Sequence, residues 1–88
     1  MNQVHIVEGY VAYEGSRIVK VFSDKEKADA FAKAGNDHNN AYPQLPEDAT
    51  PRDRGEYVIA TKMWFSNHPV KGGYQSEEYT VTTHDVEP

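Results

Sequence analysis

The first run of apolar side chains predicts a β-hairpin. Residues 3–13, QVHIVEGYVAY, are rich in β-branched and aromatic residues, which favour a pleated strand. Gly9 breaks the alternation of apolar and polar positions, so we expect a β-bulge there. The segment EGS at 14–16 signals a turn, and RIVKVF at 17–22 has the composition of a second strand.

The segment after the hairpin has the pattern of an α-helix. Ser23 and Glu26 have the spacing of a capping box, in which each side chain accepts a hydrogen bond from the backbone N–H of the other residue. Apolar or small residues then recur at intervals of three and four. Gly35 is suited to end a helix, but the period continues beyond it and Pro43 gives a clear stop. The pattern therefore favours one helix that reaches about Ala41.

The second half of the chain predicts two more strands separated by loops. Residues 43–54, PQLPEDATPRDR, hold three prolines and are expected to form an irregular loop. GEYVIATKMWF at 55–65 carries apolar side chains on both faces of an extended segment, as a central strand does. SNHPVKGG at 66–73 is expected to connect this strand to a closing strand at 74–86, where threonines occupy one face.

These elements predict a single α+β domain that spans residues 1–88. The order is β-β-α-β-β, and it is satisfied by a four-stranded antiparallel sheet with strand order 2-1-3-4 and one helix packed on one face. An antiparallel sheet tolerates one wet face. We therefore expect the second face to be left to solvent or to a partner.

Charge and cysteine content narrow the range of partners. Nine basic residues stand against fourteen acidic ones, giving a formal net charge of −5, and the basic residues are scattered. Proteins that bind nucleic acid by its phosphates usually carry a basic patch, so we expect no nucleic-acid ligand. Cysteine is absent, no apolar run reaches the ~20 residues that span a bilayer, and the first residues lack the features of a signal peptide. We expect a soluble protein of the cytoplasm without membrane contact.

Part of the chain resembles a known class of proteins. The segments VHIVEGYVAYEG and IVKVFSDKEKADAFA, the HNNAYP of residues 38–43 and the YTV of residues 79–81 resemble small, functionally uncharacterised proteins of bacteria and their phages. Those proteins have a hairpin with a YEG-like turn followed by a helix that opens with V-F-S-x-x-E-K-A. The resemblance covers roughly residues 4–43 and carries no activity. It implies a phage or mobile-element accessory protein, which would act in the host cytoplasm.

The sequence holds no recognisable catalytic motif. A P-loop, GxGxxG, HExxH and GxSxG are all absent. The four histidines, His5, His38, His68 and His84, have none of the short spacings of zinc ligands. We expect no enzyme activity, no cofactor and no metal. The alternative is a small enzyme or a metal- or ligand-binding domain that uses His5, His84 and nearby carboxylates, which would approach one another if the terminal strands were neighbours.

Aromatic side chains give the main candidate for a binding surface. Tyr10, Tyr13, Trp64 and Tyr79 are candidates for an exposed face that contacts a partner protein, because tyrosine and tryptophan are enriched at interfaces. Packing in the core is the competing interpretation. The sequence therefore predicts a non-catalytic protein-binding module that engages a host protein or a second copy of itself, as a homodimer.

Overall fold

Three strands and two helices make up the part of the chain that the structure, a computed structural model, describes, which is residues 2–86. They follow one another as β1 (Gln3–Val11), β2 (Gly15–Phe22), α1 (Lys25–Asn40), α2 (Pro51–Ser66) and β3 (Glu78–Asp85). The strands form one antiparallel sheet in the order β2-β1-β3. The first and last strands of the chain are therefore neighbours, whereas the predicted order 2-1-3-4 places the last strand beside the third.

The N-terminal hairpin is confirmed, with its bulge at a different place. β1 and β2 pair antiparallel, and the turn between them uses positive φ angles at Tyr13 (70°) and Gly15 (92°). Val7 pairs with Lys20 and the next residue of β1 pairs with Ile18, so the extra residue is Val19 on β2. The bulge predicted at Gly9 is wrong. A Cβ at Gly9 would overlap the side chain of Glu77, so close packing explains this glycine.

Helix α1 begins one residue later than the capping box predicted. The N-cap is Asp24, whose carboxylate accepts the Glu26 N–H at 2.9 Å, and Ser23 lies outside the helix. Serine and aspartate cap helices about equally well, so the sequence did not separate the two registers. The helix continues through Gly35 to Asn40, as predicted. Close packing explains this glycine, because the ring of Tyr79 lies where a side chain at position 35 would be.

The core lies between α1 and one face of the sheet. Alternate residues of β1 point to α1, and Val7 is fully buried among Ala28, Ala32, Val70 and Tyr79. Partly buried side chains extend this core at its edges. They are Val19, Phe22, Phe31 and Val81.

The predicted third strand, residues 55–65, is wrong, and with it the four-stranded sheet with order 2-1-3-4 and a single helix. This segment belongs to helix α2. The physical cause lies just upstream: Thr50 accepts the Asp53 N–H, the Asp53 side chain accepts the Thr50 N–H, and Pro51 stands in the first turn. This capping box starts a helix inside the predicted 43–54 loop, which is irregular only over residues 43–50.

Because residues 55–65 are helical, a different strand pairs with the second edge of β1. The C-terminal strand, predicted at 74–86, forms over Glu78–Asp85 and pairs directly with β1, where the third strand had been placed. Within residues 2–86 the sheet thus has three strands, with α1 on one face.

Candidate functional site

Helix α2, called the arm below, extends away from the core. The described chain measures 60 × 25 × 15 Å and has a radius of gyration of 16.4 Å. A compact domain of this length has a radius of about 12 Å. The arm therefore does not pack into the core as a second layer would.

The arm is attached to the rest of the protein close to its C-terminal end. The Trp64 indole Nε1–H donates to the His38 carbonyl at 2.7 Å, and His38 Nε2 lies 2.7 Å from the Trp64 carbonyl, to which it donates. The two rings are stacked with centroids 4.9 Å apart. His68 and Tyr42 pack edge-on against the indole, each at 4.9 Å. Trp64 is 5% exposed and is the buried residue of the arm.

Most of the apolar surface of the arm remains exposed. Val58, Ile59, Met63 and Phe65 are 49%, 62%, 59% and 53% exposed. At 100° per residue, Val58 and Phe65 lie on one flank, and Ile59 and Met63 lie on the other. Tyr57 and Trp64 lie on a third side of the helix, the side that contacts the rest of the protein, and this side lies between the two flanks. A helix that is apolar on several sides is normally buried, so the arm has the surface of a helix in contact with another layer.

A second exposed apolar surface lies on the face of the sheet opposite α1. Directly paired residues of an antiparallel sheet share a face, and Ile6 pairs with Val21 on one side and Thr82 on the other. Tyr10, Ile18 and Val21 on this face are 51%, 62% and 52% exposed. We call it the open sheet face. Its residues are Val4, Ile6, Glu8, Tyr10, Ser16, Ile18, Val21, Glu78, Thr80, Thr82 and His84.

The arm and the open sheet face differ in charge. The arm has three basic residues and two acidic ones, for a formal charge of +1, while the remaining chain has six basic and twelve acidic residues, for −6. The open sheet face contains Glu8 and Glu78 and neither lysine nor arginine. Lys20 and Arg17 of β2 pair with residues that face α1 instead. The two exposed apolar surfaces are therefore of opposite charge.

A buried polar cluster lies between β3, the hairpin and the end of α1. The Glu77 carboxylate, whose side chain is 1% exposed, accepts two hydrogen bonds from Arg17 at 2.8 and 2.9 Å and one from the Tyr79 hydroxyl at 2.6 Å. Asn39 donates to the Glu77 carbonyl and accepts from His68 Nε2–H at 2.7 Å. His68 Nδ1 accepts the Val70 N–H at 3.0 Å, which fixes the neutral tautomer.

The ionisation of this cluster follows from its contacts. Burial on its own raises the pKa of the Glu77 carboxyl, but the hydrogen bonds from Arg17 and Tyr79 outweigh burial and leave that pKa below its ordinary value. Burial, with the bond to Glu77, raises the pKa of the Tyr79 phenol. Burial and the neighbouring His38 lower the pKa of His68. Glu77 is therefore a bonded carboxylate and His68 a neutral imidazole at pH 7.

Every buried polar side chain of the cluster has a hydrogen-bond partner, which favours a structural role. No buried side-chain nitrogen or oxygen within the described residues lacks a partner. Two shallow grooves lie beside Glu77, one of about 170 Å³ next to Arg17 and Tyr74 and one of about 340 Å³ next to Asn36 and Asn40. A general base needs a free lone pair directed at a bound substrate, and the Glu77 oxygens are directed at Arg17 and Tyr79.

The four aromatic residues proposed as a partner surface do not form one surface. Tyr10 and Tyr13 are exposed, at 51% and 106%, on the open sheet face and at the hairpin turn. Trp64 and Tyr79 are 5% and 3% exposed. Trp64 holds the arm in place and Tyr79 belongs to the core, so neither presents its ring to a partner in this structure.

The histidines of the alternative hypothesis are not brought together. His5 is buried on the α1 side of the sheet, where its Nδ1 lies 2.9 Å from the Thr83 hydroxyl. His84 pairs with Val4 and lies on the open sheet face, 3.1 Å from the Thr82 hydroxyl. Within residues 2–86 no group of three or more acidic or histidine side chains is placed to hold a metal ion.

Sequence reasoning missed the exposed residues of the arm. Val58, Ile59, Met63 and Phe65 were assigned to a central strand, where both faces would be buried. The overlooked signal is Thr50-Pro51 with Asp53, which begins a helix and changes the period of the residues after it. With the helical period, the same apolar residues lie on two sides of a projecting helix.

No protein-family model matches the chain, and neither a curated protein nor a solved structure matches it significantly. The resemblance of residues 4–43 to bacterial and phage proteins stays a prediction. Neither helix of the described residues is long and apolar enough to cross a membrane. The assignment of a function therefore rests on the geometry of the arm and of the sheet.

Proposed function

We propose that this protein is a non-catalytic protein-binding module and that the arm is its contact element. The observation that carries the proposal is the exposure of four apolar side chains on two flanks of the arm, Val58, Ile59, Met63 and Phe65. Large apolar side chains that are exposed together on a small protein are typical of interaction sites. A projecting helix of this kind resembles the helix-in-groove mode of recognition, in which apolar anchors at helical spacing enter an apolar surface.

The energetics of the arm indicate what kind of partner is needed. Full burial of a side chain of this size is worth about 1.5–3 kcal/mol. The four side chains are about half exposed, so covering them contributes about 3–6 kcal/mol. Association costs about 4–15 kcal/mol. The arm alone offsets only the lower part of that cost, so a stable complex also requires an apolar surface on the partner.

The buried polar cluster supports a module without catalysis. The Glu77 carboxylate accepts hydrogen bonds from Arg17 and Tyr79, and the Glu77 carbonyl accepts one from Asn39. These bonds join three separate segments of the chain. Such a cluster fixes the position of the segment that follows the arm. It is better explained by this positioning role than by chemistry on a substrate.

The biological setting is a prediction from the sequence. A host protein as partner, and an accessory role in a phage or mobile element, rest on the resemblance of residues 4–43. A location in the cytoplasm rests on the absence of cysteine. Both belong to the proposal and are separate from the assignment of the arm.

The test compares the wild type with an arm variant and a matched control. Ile59→Glu/Met63→Glu adds two carboxylates to one flank of the arm, and Ala30→Glu/Ala34→Glu adds two at exposed positions of α1 with the same i,i+4 spacing. Each protein is measured by light scattering over a range of concentrations and is used as bait in quantitative affinity capture.

We expect association, with itself or with a captured protein, that the arm variant loses and the control keeps. If the wild type stays monomeric and captures nothing that the arm variant fails to capture, the proposed function is wrong. Circular dichroism of both variants establishes that they are folded as the wild type is.

A further inference from the structure

We infer that the partner of the arm is a second copy of this chain, and that each arm lies on the open sheet face of the other copy. This inference rests on the proposed function and names its partner. It starts from the fact that the chain has two exposed apolar surfaces of different form, a helix and a sheet face. Helix on sheet is one of the few ways in which secondary structures form a stable layer.

The open sheet face is a layer without a partner. Tyr10, Ile18 and Val21 are exposed on it by more than half, with Ile6 between the two edge strands. On the opposite face, α1 already supplies the covering layer. The sheet is therefore packed on one side, and its second side has apolar residues where a second helix would fit.

The arm cannot cover the open face of its own chain. Its attachment through Trp64 and His38 places it at the end of α1, and α1 lies across the sheet from the open face. The radius of gyration of 16.4 Å also shows that the arm extends away from the body. Because both surfaces are exposed in one chain, the arm of each of two chains can cover the open sheet face of the other.

Charge favours this pairing over a contact between two arms. Arg52, Arg54 and Lys62 give the arm a net positive charge, and Glu8 and Glu78 make the open sheet face acidic. Two arms together would bring like net charge together, while an arm on a sheet brings opposite charges together. A two-fold axis makes the exchange reciprocal, so the dimer contains two identical arm-on-sheet contacts.

The experiment uses one substitution on each side of the contact. Met63→Glu places a carboxylate on the arm, Ile18→Glu places one on the open sheet face, and Ala30→Glu on exposed α1 is the control. Sedimentation velocity gives the dimer dissociation constant of each protein and of an equimolar mixture of the two interface variants. Val21→Glu replaces Ile18→Glu if circular dichroism shows that the latter does not fold.

Each interface variant is expected to raise the dissociation constant by about tenfold or more, since a carboxylate then faces an apolar surface, and the control is expected to leave it unchanged. The mixture is expected to dimerise more tightly than either variant alone, because one of its two contacts joins an unaltered arm to an unaltered sheet face.

Three results would overturn the inference, and they differ in what they mean for the proposed function. If Met63→Glu weakens the dimer and Ile18→Glu does not, two arms pair with each other, and the arm remains the contact element. If the wild type is monomeric but captures another protein through the arm, the partner is a different protein. If neither association depends on the arm, both the inference and the proposed function are wrong.

Discussion

Substitution of two helical glycines by alanine is expected to change stability in opposite directions. Gly35 lies in α1 and Gly55 in the arm. A Cβ at Gly35 would lie 2.5 and 2.7 Å from ring atoms of Tyr79 and 3.2 Å from a Val70 methyl group, whereas a Cβ at Gly55 meets no atom within 4 Å. The two variants therefore make the same chemical change in two different surroundings.

The magnitudes follow from these distances. Replacing a helix-interior glycine by alanine is worth about 0.8–1 kcal/mol, and overpacking a core costs about 1–3 kcal/mol. Tyr79 cannot move aside easily, because its hydroxyl is bonded to Glu77 and its backbone N–H and C=O are bonded to Asn36. We expect Gly35→Ala to lower the free energy of unfolding by up to about 2 kcal/mol net and Gly55→Ala to raise it by about 0.8–1 kcal/mol.

Thermal unfolding followed by circular dichroism measures both effects. For a domain of this size 1 kcal/mol corresponds to about 4–8 °C in Tm. The Tm of Gly55→Ala is therefore expected to lie above that of the wild type and the Tm of Gly35→Ala below it. A Gly55→Ala variant with lower helicity or a lower Tm would show that residue 55 is not helical. A Gly35→Ala variant at least as stable as the wild type would show that Tyr79 does not pack against α1.

Three further outcomes are expected from the contacts that hold the arm and the polar cluster. Trp64→Ala removes the buried anchor of the arm and is expected to lower stability by about 3–5 kcal/mol, measured by urea unfolding. Trp64→Phe keeps an aromatic ring and is expected to lose less; equal losses would contradict the contribution of the buried ring. Arg17→Ala leaves Glu77 buried beside Tyr79 alone. Because the Arg17 side chain is 43% exposed, the cost of this substitution is expected to be about 1–3 kcal/mol, below that of breaking a fully buried pair. The folded-state pKa of His68 lies below the ordinary 6.5, so the unfolded chain binds this proton more strongly and stability falls as the pH drops below 6.5 and through the lower folded value; His68→Gln is expected to flatten this part of the stability–pH curve, and an unchanged slope would refute the assignment.

The N-terminal half of the fold was predictable because its signals are local and consistent. The hairpin has alternating strands and a glycine turn, and α1 has its period, its cap region and Pro43 as a stop. Only details separated prediction from structure, such as the choice of Asp24 over Ser23 as N-cap. The position of the bulge was not predictable, since Gly9 is explained by Glu77, which lies far along the chain.

In the second half, the strand at residues 55–65 was predicted wrongly because this segment satisfies two periods at once. Apolar residues on both faces of a strand are also apolar residues on several sides of a helix, and Val58 and Ile59 favour strands by composition. The capping box at Thr50 decides the conformation, but it lay inside a segment rich in proline and charge. Burial of Trp64 and exposure of Met63 depend on tertiary contacts with α1, which the sequence pattern does not contain.

Hydrogen–deuterium exchange at two protein concentrations tests most directly whether the arm is a contact surface. We predict that amides in the second half of the arm, and those of β1 and β2 beneath the open sheet face, exchange more slowly in the concentrated sample, while amides of α1 exchange at the same rate in both. Equal exchange of the arm at every concentration, with the Trp64 contact intact, would contradict it.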